Sequence, residues 1–374
     1  MELQEEKKVE YIELIYDLIF VYLIGKSASL LDRVEGGFVT LATFMDYLAS
    51  SLIVIQIWSY TTLFVNRFGK NGMSDKLMML INMFLLYIMG ANTIHGWSAN
   101  YAAFMGAWAL ILLNLAVQYL LKLRGTDEAR CRKYILQSAA LLLVQAFSIG
   151  ASIPVFYASG LAIGQWSVLI GFVATPFLAK IPTNFAHLTE RVMLYVVFTF
   201  GDMILIVAEY FTDGLTLETL YFALASFLIV AGLFFSYGFV YDNLLDRKSE
   251  RGSSLCYMVL HLFIILSLSI VTTSLEFMRD GAVSSLPKTG MMVASLLVFF
   301  AGLALTERWS FQMYRTRRRF LLLLGAEFVA FASAMMLSAG KGGYVTAAIT
   351  VLFVYTQLAT LLLSGKYTDG RAAQ

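Results

Sequence analysis

The chain contains 374 residues, of which 59% are hydrophobic and 14% are charged, and its mean hydropathy is +0.74. An ordinary soluble domain carries about 25% charged residues, so this composition excludes a soluble globular protein. The net charge of +2 is too small to indicate a nucleic-acid partner, and we expect none.

Apolar runs fill the chain, and the charged residues lie in the short gaps between them. Each run is long enough to cross a hydrocarbon core, which takes roughly 20 helical residues. Runs such as 141–144 and 321–324 are continuously apolar, whereas transmembrane β-strands alternate. The sequence therefore predicts an all-α polytopic membrane protein with about twelve transmembrane helices. The predicted spans are 11–31, 38–66, 76–95, 99–121, 133–153, 163–181, 190–211, 217–242, 254–274, 289–306, 319–338 and 343–365.

Two carboxylates lie within the first predicted span. Glu13 and Asp17 are four residues apart, so they share one face of the helix. A carboxylate in hydrocarbon is costly and normally faces a partner or an aqueous cavity. Glu13 and Asp17 are therefore candidates for binding a solute or an ion. The alternative is that Asp17, and Asp202 of the seventh span, only form hydrogen bonds or ion pairs with neighbours such as Arg67 or Arg191.

Polar and aromatic residues crowd the end of the second predicted span. Trp58 and Tyr60 are interpreted as anchors at the membrane interface, where such rings are enriched, and Tyr60 is also kept as a candidate binding residue. Arg67 is either a charge that ends the span or the partner of a carboxylate in the first span. Asn66, which precedes it, is added to the candidate site.

The seventh predicted span also contains acids. Asp202 and Glu209 share one helix face, and Arg191 lies near the start of the span. All three are candidates for binding a solute or an ion. Glu327, inside the eleventh span, is a weaker candidate because the fifth span has no matching acid.

Lysines and arginines concentrate in the even-numbered connections, for example at 122–133 and 308–319. Such charges are retained on the cytoplasmic side of a membrane. We therefore expect a multi-pass protein of the cell (plasma) membrane with both termini in the cytoplasm. The first helix has no small-residue cleavage site after it, so we expect it to remain as an uncleaved anchor.

The two halves of the chain resemble one another. Residues 48–54 read Leu-Ala-Ser-Ser-Leu-Ile-Val, and residues 224–230 read Leu-Ala-Ser-Phe-Leu-Ile-Val. This similarity predicts two parallel six-helix repeats, and chance alignment of apolar segments is the alternative. The predicted organisation is a cytoplasmic tail at 1–10, a first repeat at 11–187, a second repeat at 188–366 and a cytoplasmic tail at 367–374.

The sequence contains few residues that suit an enzyme. Cys131 and Cys256 supply neither a disulfide framework nor a metal-binding set, and the three histidines are scattered. A phosphate-binding glycine-rich loop is also missing from the sequence. We expect no enzymatic activity, no cofactor and no bound metal.

Three segments carry a shared pattern. Residues 13–21 read Glu-Leu-Ile-Tyr-Asp-Leu-Ile-Phe-Val, residues 58–68 end in Asn-Arg-Phe, and Glu190-Arg191 is followed by Phe-Gly-Asp at 200–202. These segments resemble the motifs of the bacterial low temperature requirement A (LtrA) family, whose first signature is Glu-Leu-Phe-Phe-Asp-Leu-Val-Phe-Val. Asp202 stands where that family usually has Glu, and Gly-Lys-Asn-Gly at 69–72 replaces an acidic loop. The resemblance implies an integral membrane protein of a family named for growth at low temperature.

Three functions from different classes fit these features. A secondary transporter would bind a small solute or ion with the buried carboxylates at the interface between the repeats. An ion channel would line its pore with the first and seventh helices. A membrane or lipid-homeostasis factor would support growth at low temperature without transport. The expected partners are the lipid bilayer, a small solute or ion and, as a candidate, a second copy of the chain in a homodimer.

Overall fold

Helices account for almost all of the described chain. The computed structural model describes residues 8–93, 100–178, 183–212, 214–247, 253–311 and 318–372, and at 174, 318, 319 and 365–372 only the backbone is described. The helices are α1 (Tyr11–Ala28), α2 (Leu41–Phe68), α3 (Met73–Ala91), α4 (Tyr101–Leu121), α5 (Ala129–Ser159), α6 (Ser167–Leu178), α7 (Phe185–Glu209), α8 (Leu217–Phe239), α9 (Ser254–Arg279), α10 (Ser285–Leu305), α11 (Arg318–Ser338) and α12 (Gly343–Ala372).

Within the described ranges, 11 helices are long and apolar enough to cross a membrane. This finding confirms the predicted fold class, an all-α polytopic membrane protein. The span predicted at 163–181 differs from the structure, because a 3-10 turn at Gly164–Trp166 precedes an α6 of only 12 residues. Pro176 lies inside α6, where its ring removes a backbone donor. Residues 179–182, which belong to the same predicted span, lie outside the described ranges.

The chain divides into two compact units, which we describe separately. The first unit contains residues 1–33 and 39–194, and the second contains residues 34–38 and 195–374. The boundary falls inside α7. The internal repeat and its boundary at 187/188 stay predictions. The backbone of α12 continues to Ala372, so the helix extends into the segment predicted as a C-terminal tail.

In the first unit, α1 packs against α2 and α3, and α4 packs along α5. The buried residues of α1 recur every three or four positions, as at Glu13, Asp17, Phe20 and Ile24, whereas Leu18 is exposed. This spacing places the buried residues on one side of the helix. α2 is buried over most of its membrane-spanning length. The two acids of α1 are therefore carried on the face that packs into the unit.

The helices α2 and α8 begin with the same cap. The Thr40 hydroxyl accepts a hydrogen bond from the N–H of Thr43 at 3.2 Å, and the Thr216 hydroxyl accepts one from the N–H of Thr219 at 3.0 Å. Each bond satisfies a backbone donor that the first turn of a helix leaves without an intrahelical partner. The two caps fix where α2 and α8 start, each in its own unit.

In the second unit, α9 packs along α10, and α12 packs against α8 and α11. Gly232 on α8 allows a close approach of α12, because a Cβ there would lie 2.5 Å from a methyl carbon of Val354. α11 is the least buried span, and Leu322 and Leu337 on its surface are exposed. An apolar and exposed helix surface of this kind suits contact with lipid.

The connection between α1 and α2 contains the short strands β1 (Val34–Glu35) and β2 (Phe38–Val39). The two residues between the strands, Gly36 and Gly37, have φ values of +62° and +92°. A two-residue hairpin turn with positive φ at both positions strongly favours glycine. The pair of glycines in the sequence therefore accounts for the tight turn.

Candidate functional site

The buried face of α1 presents Glu13 and Asp17 to the interior of the first unit. Asp17 is 0% exposed and Glu13 is 2% exposed. The first turns of α7 supply two basic side chains to the same place, His187 and Arg191, and both are fully buried. His187 and Arg191 are also four residues apart, so they share one face of α7. Two acids spaced four residues apart on α1 thus meet two basic residues with the same spacing on α7.

Asp17 is held by three hydrogen-bond donors. Arg191 donates from Nε to Oδ2 at 3.1 Å and from Nη2 to Oδ1, which makes the ion pair bidentate. The indole Nε1–H of Trp58 on α2 donates to Oδ1 at 2.9 Å. Charge-assisted bidentate pairs are among the strongest and most directional hydrogen-bonded contacts in proteins. These three donors fix the position of the Asp17 carboxylate.

Glu13 is held more loosely by the same two α7 residues. Its Oε2 lies 3.2 Å from His187 Nε2 and 3.5 Å from Arg191 Nη1. Neither nitrogen makes a hydrogen bond of ordinary geometry to a described residue. These two contacts of Glu13 are longer and less aligned than those of the donors on Asp17.

Asn66 at the end of α2 orients His187. Its Nδ2 lies 3.1 Å from His187 Nδ1 and donates to the backbone carbonyl of Asn184 at 2.9 Å. The Asn66 Oδ1 accepts from the Asn184 N–H at 2.9 Å. Because an amide nitrogen can only donate, this contact assigns the acceptor role to Nδ1 and the proton to Nε2. In the neutral ring, the Nε2–H therefore faces Glu13.

The charges of this cluster favour binding of one proton. Arginine stays protonated, so the four side chains Glu13, Asp17, His187 and Arg191 together carry one net negative charge when both carboxylates are ionised and His187 is neutral. A net charge is costly in a buried site. A single proton on Glu13 or His187 makes the cluster neutral. Exchange of a proton is therefore the simplest ion chemistry that these residues can support.

A cavity of about 280 Å³ lies beside the cluster in the first unit. Glu13 forms part of its wall, whereas the lining does not include Asp17 or Arg191. Glu13 is thus the member of the cluster that the cavity reaches. Apolar residues of α1, α2 and α3 and polar residues near the helix ends form the rest of the lining. The polar residues are Lys8, Glu10, Lys70, Asn71, Asp75, Lys76 and Gln118.

Trp58, Tyr60 and Arg67, near the end of α2, make their described contacts inside the first unit. Trp58 and Tyr60 are buried, so the interpretation of both as interface anchors is wrong. Tyr60 donates to Gln145 Oε1 at 3.3 Å in a polar network between α2 and α5. The described hydrogen bonds of Arg67 go to the Tyr134 hydroxyl and to the carbonyl of Leu178 at the end of α6. Contacts with distant parts of the chain determine where these three side chains lie. The residue type alone does not predict those positions.

Asp202 and Glu209 lie on the part of α7 that belongs to the second unit. Glu209 lines a cleft of about 500 Å³ in that unit, together with Tyr210, Glu276 and Arg279. Burial raises the pKa of Tyr210 to about 12, so its hydroxyl stays neutral at physiological pH. Asp202 is half-buried and makes no hydrogen bond or ion pair with a described residue.

His187 and Trp58 were missed by reasoning from the sequence. His187 was counted among scattered histidines, although its spacing from Arg191 equals the spacing of Glu13 from Asp17. Matching i, i+4 pairs of acids and bases in two apolar helices is the signal that could have found it. Among the described residues, no three His, Cys, Asp or Glu side chains form a group that could hold a metal ion.

The sequence model of one protein family matches residues 8–355, and that family is described as "Bacterial low temperature requirement A protein (LtrA)". The match agrees with the resemblance of segment 13–21 and the two later segments. The matched range contains every residue of the buried cluster, namely Glu13, Asp17, His187 and Arg191. No curated protein matches the chain.

Proposed function

The chain belongs to the bacterial low temperature requirement A family of integral membrane proteins, and on this premise we propose that it is a proton-coupled secondary transporter. Its cargo would be a small solute or ion. The observation that supports this proposal is the position of Glu13, which lines a cavity while it contacts His187 and Arg191. Acids inside membrane helices that face a cavity commonly mark ion pathways and proton relays.

The two carboxylates of α1 have different roles in this proposal. Asp17 is fully buried and bidentate with Arg191, so it serves as the permanent counter-ion that holds the guanidinium. Glu13 shares the remaining guanidinium nitrogen and the imidazole, and it is the acid in reach of the cavity. Glu13 and His187 would therefore bind and release the proton while Asp17 keeps its charge.

Proton binding would change the attraction between α1 and α7. An ionised Glu13 is attracted to Arg191, and this attraction is strong because both groups are shielded from water. A proton on Glu13 removes the attraction and leaves the Asp17 pair intact. A solute in the cavity that interacts differently with the two charge states of Glu13 would then be coupled to the proton. Asp202 and Glu209 are proposed to contribute acids to the same transport function from the second unit.

We place the protein in the cell (plasma) membrane with both termini in the cytoplasm. The cavity beside Glu13 is lined by Lys8, Lys70 and Lys76. Lysines at the ends of spans are retained on the cytoplasmic side. The cavity would therefore open toward the cytoplasm, and the cluster would lie at its inner end.

The proposal is tested with purified protein in proteoliposomes that contain a trapped pH-sensitive dye. A potassium diffusion potential set with valinomycin drives protons inward, and the dye reports their rate of entry. With candidate small solutes supplied outside the vesicles as cargo, we expect the wild-type chain to raise this rate above that of protein-free vesicles. Glu13→Gln should abolish the increase, because an amide keeps the shape of the side chain but cannot ionise.

The matched control is Glu35→Gln, which neutralises an exposed acid in the hairpin. It should leave the proton rate unchanged. Equal rates for wild type and Glu13→Gln would contradict the proposal. A steady current in single-channel recordings that does not saturate would support the ion-channel alternative. An altered lipid composition on gene deletion, with no proton entry in liposomes, would support the lipid-homeostasis alternative.

A further inference from the structure

A further acid, to which the proposed transport function assigns no role, lies deep in a membrane span of the second unit. Glu327 is nine residues into α11, about 14 Å along the helix axis from Arg318 at 1.5 Å per residue. α11 has 21 residues, so Glu327 lies near the middle of the span. Its side chain is half-buried, and Leu322 and Val329 on the same helix are exposed.

Two neutral donors from α12 hold the Glu327 carboxyl group. Thr360 Oγ1 donates to Oε1 at 2.7 Å, and Gln357 Nε2 donates to Oε2 at 2.9 Å. Gln357 Nε2 also donates to the carbonyl of Leu324 at 3.1 Å. Both donor side chains are buried. Each carboxyl oxygen therefore has one designated partner, and neither partner carries a charge.

No described basic residue forms an ion pair with Glu327. The neighbouring span α10 contains one basic residue, Lys288, and its Nζ donates to the carbonyl of Asp280. Arg319 lies eight residues before Glu327 on α11, which corresponds to about 12 Å along the helix axis. The titratable side chains on the elements packed against α11 and on the turn after α10 are Lys288, Glu307, Arg308, Lys341, Tyr344 and Tyr355, and the last part of α12, of which only the backbone is described, contains Lys366, Tyr367, Asp369 and Arg371.

A cavity of about 210 Å³ leads to this pair of helices. Gln357 and Leu324 line this cavity. The Gln357 amide that binds Glu327 also donates to the backbone carbonyl of Leu324. Glu307 and Ser310, on the turn that follows α10, line the same cavity. The cavity thus extends from a connection between spans to the amide that binds Glu327.

We propose that Glu327, Gln357 and Thr360 form a proton-binding site in the second unit, in which Glu327 is a neutral carboxylic acid that exchanges its proton through this cavity. An ionised carboxylate at mid-membrane with only neutral partners is costly, and one proton removes that cost. In the protonated state, the acid donates from Oε1 to Thr360 Oγ1. The Thr360 hydroxyl then turns to the backbone carbonyl one helical turn earlier, a common arrangement for threonine in helices.

Labelling with dicyclohexylcarbodiimide tests the site in the full chain, because this reagent dissolves in the bilayer and reacts with protonated carboxylic acids. The acid proton moves to one reagent nitrogen, and the carboxylate oxygen bonds to the central carbon. The acyl group then migrates to nitrogen, and nothing leaves. The peptide that contains Glu327 should gain the full mass of one reagent molecule, as measured by mass spectrometry.

The extent of labelling should fall as the pH of the reaction rises. Glu327→Gln should remove the labelled peptide, and Glu35→Gln should leave it unchanged. Thr360→Val removes the donor that favours the ionised form, so labelling should persist to higher pH. Suppression of labelling by sodium at constant pH would overturn the proposal in favour of a metal-cation site.

Infrared spectroscopy measures the same state without a reagent. The difference between wild type and Glu327→Gln should contain the carbonyl band of a protonated carboxylic acid, and this band should disappear at high pH. Absence of the band at every pH, or a band that never responds to pH, would overturn the proposal. Neither measurement depends on proton entry through Glu13, so the two proposals can fail separately.

Discussion

Arg191 donates to both carboxylate oxygens of Asp17, and both side chains are fully buried. Residues 174 positions apart in sequence thereby connect the first helix to the start of the seventh. The pair also leaves Arg191 Nη1 directed toward Glu13. One guanidinium group therefore contacts both acids of α1, Asp17 through two hydrogen bonds and Glu13 at 3.5 Å.

Removal of that guanidinium group should destabilise the protein strongly. Arg191→Met leaves the buried carboxylate of Asp17 without its cation, and breaking a buried ion pair on one side costs about 3–5 kcal/mol. Equilibrium unfolding in mixed micelles measures this loss. Arg191→Lys should recover only part of it, because a single ammonium group cannot donate in the bidentate geometry.

The double variant Asp17→Asn with Arg191→Met is the matched control for this pair. It removes both charges at once, so it should lose less stability than the sum of the two single variants. Additive losses would show that the two side chains do not stabilise one another.

The hydrogen bond from Trp58 to Asp17 should contribute measurably to stability. Trp58→Phe removes the Nε1–H that lies 2.9 Å from Oδ1, and a hydrogen bond to a charged group is worth about 1.5–3 kcal/mol. Trp108→Phe is the matched control. Trp108 is also fully buried, on α4, but its Nε1 makes no hydrogen bond to a described residue.

Both tryptophan substitutions shrink the ring by the same amount, so the difference between the two unfolding free energies reports the loss of the hydrogen bond together with any change in the contact of Arg191 with the Trp58 ring, whose centroid lies 5.9 Å from the guanidinium carbon. We expect Trp58→Phe to be the more destabilising substitution. If Trp108→Phe lowered the free energy of unfolding by as much as Trp58→Phe or more, the hydrogen bond from Trp58 to Asp17 would have no energetic role.

A small residue at position 171 should be required for packing between α2 and α6. A Cβ on Gly171 would overlap the Gln56 amide and approach the Tyr60 hydroxyl within 2.5 Å. Gln56 cannot move easily, because it donates to the carbonyl of Val168 and accepts from Gln145. Gly171→Ala should therefore cost about 1–3 kcal/mol, the usual cost of overpacking.

Gly150→Ala on α5 is the control for this substitution, because a Cβ there has no atom within 4 Å. It should be neutral or stabilising by up to about 1 kcal/mol, since alanine restricts the unfolded chain more than glycine does. Melting temperatures of the two variants in detergent compare them directly. Equal melting temperatures would mean that α2 and α6 can separate without cost.

The sequence was sufficient to predict the class of fold, because hydropathy reports the bilayer directly. It also identified Glu13 and Asp17, since a charge inside an apolar run is visible without a structure. It left the partner of these acids open between Arg67 and Arg191. Both arginines lie near the ends of spans, and only the side-chain contacts in the folded first unit assign Arg191 to the acids.

The short α6 and the buried position of Trp58 show what the sequence could not determine. Hydropathy at 163–181 is high enough for a full span, but the 3-10 turn at 164–166 and the helix after it depend on contacts with α2 and α5. An indole ring near the end of a span suits either the interface or a buried acceptor. The rotation of α2 about its own axis determines which of the two environments Trp58 faces. That rotation is set by the packing of the whole first unit.

Substitution of His187 distinguishes proton exchange from a purely structural role. His187→Gln keeps an N–H donor near the position of Nε2, beside Glu13, but cannot bind an additional proton. If His187 and Glu13 exchange a proton, this variant should retain a near-normal melting temperature and lose proton entry in proteoliposomes. His187→Leu should lose both, because it also removes the acceptor for Asn66. Full proton entry with His187→Gln would show that the ring only positions Glu13, and proton binding would then have to be assigned to the carboxylate alone.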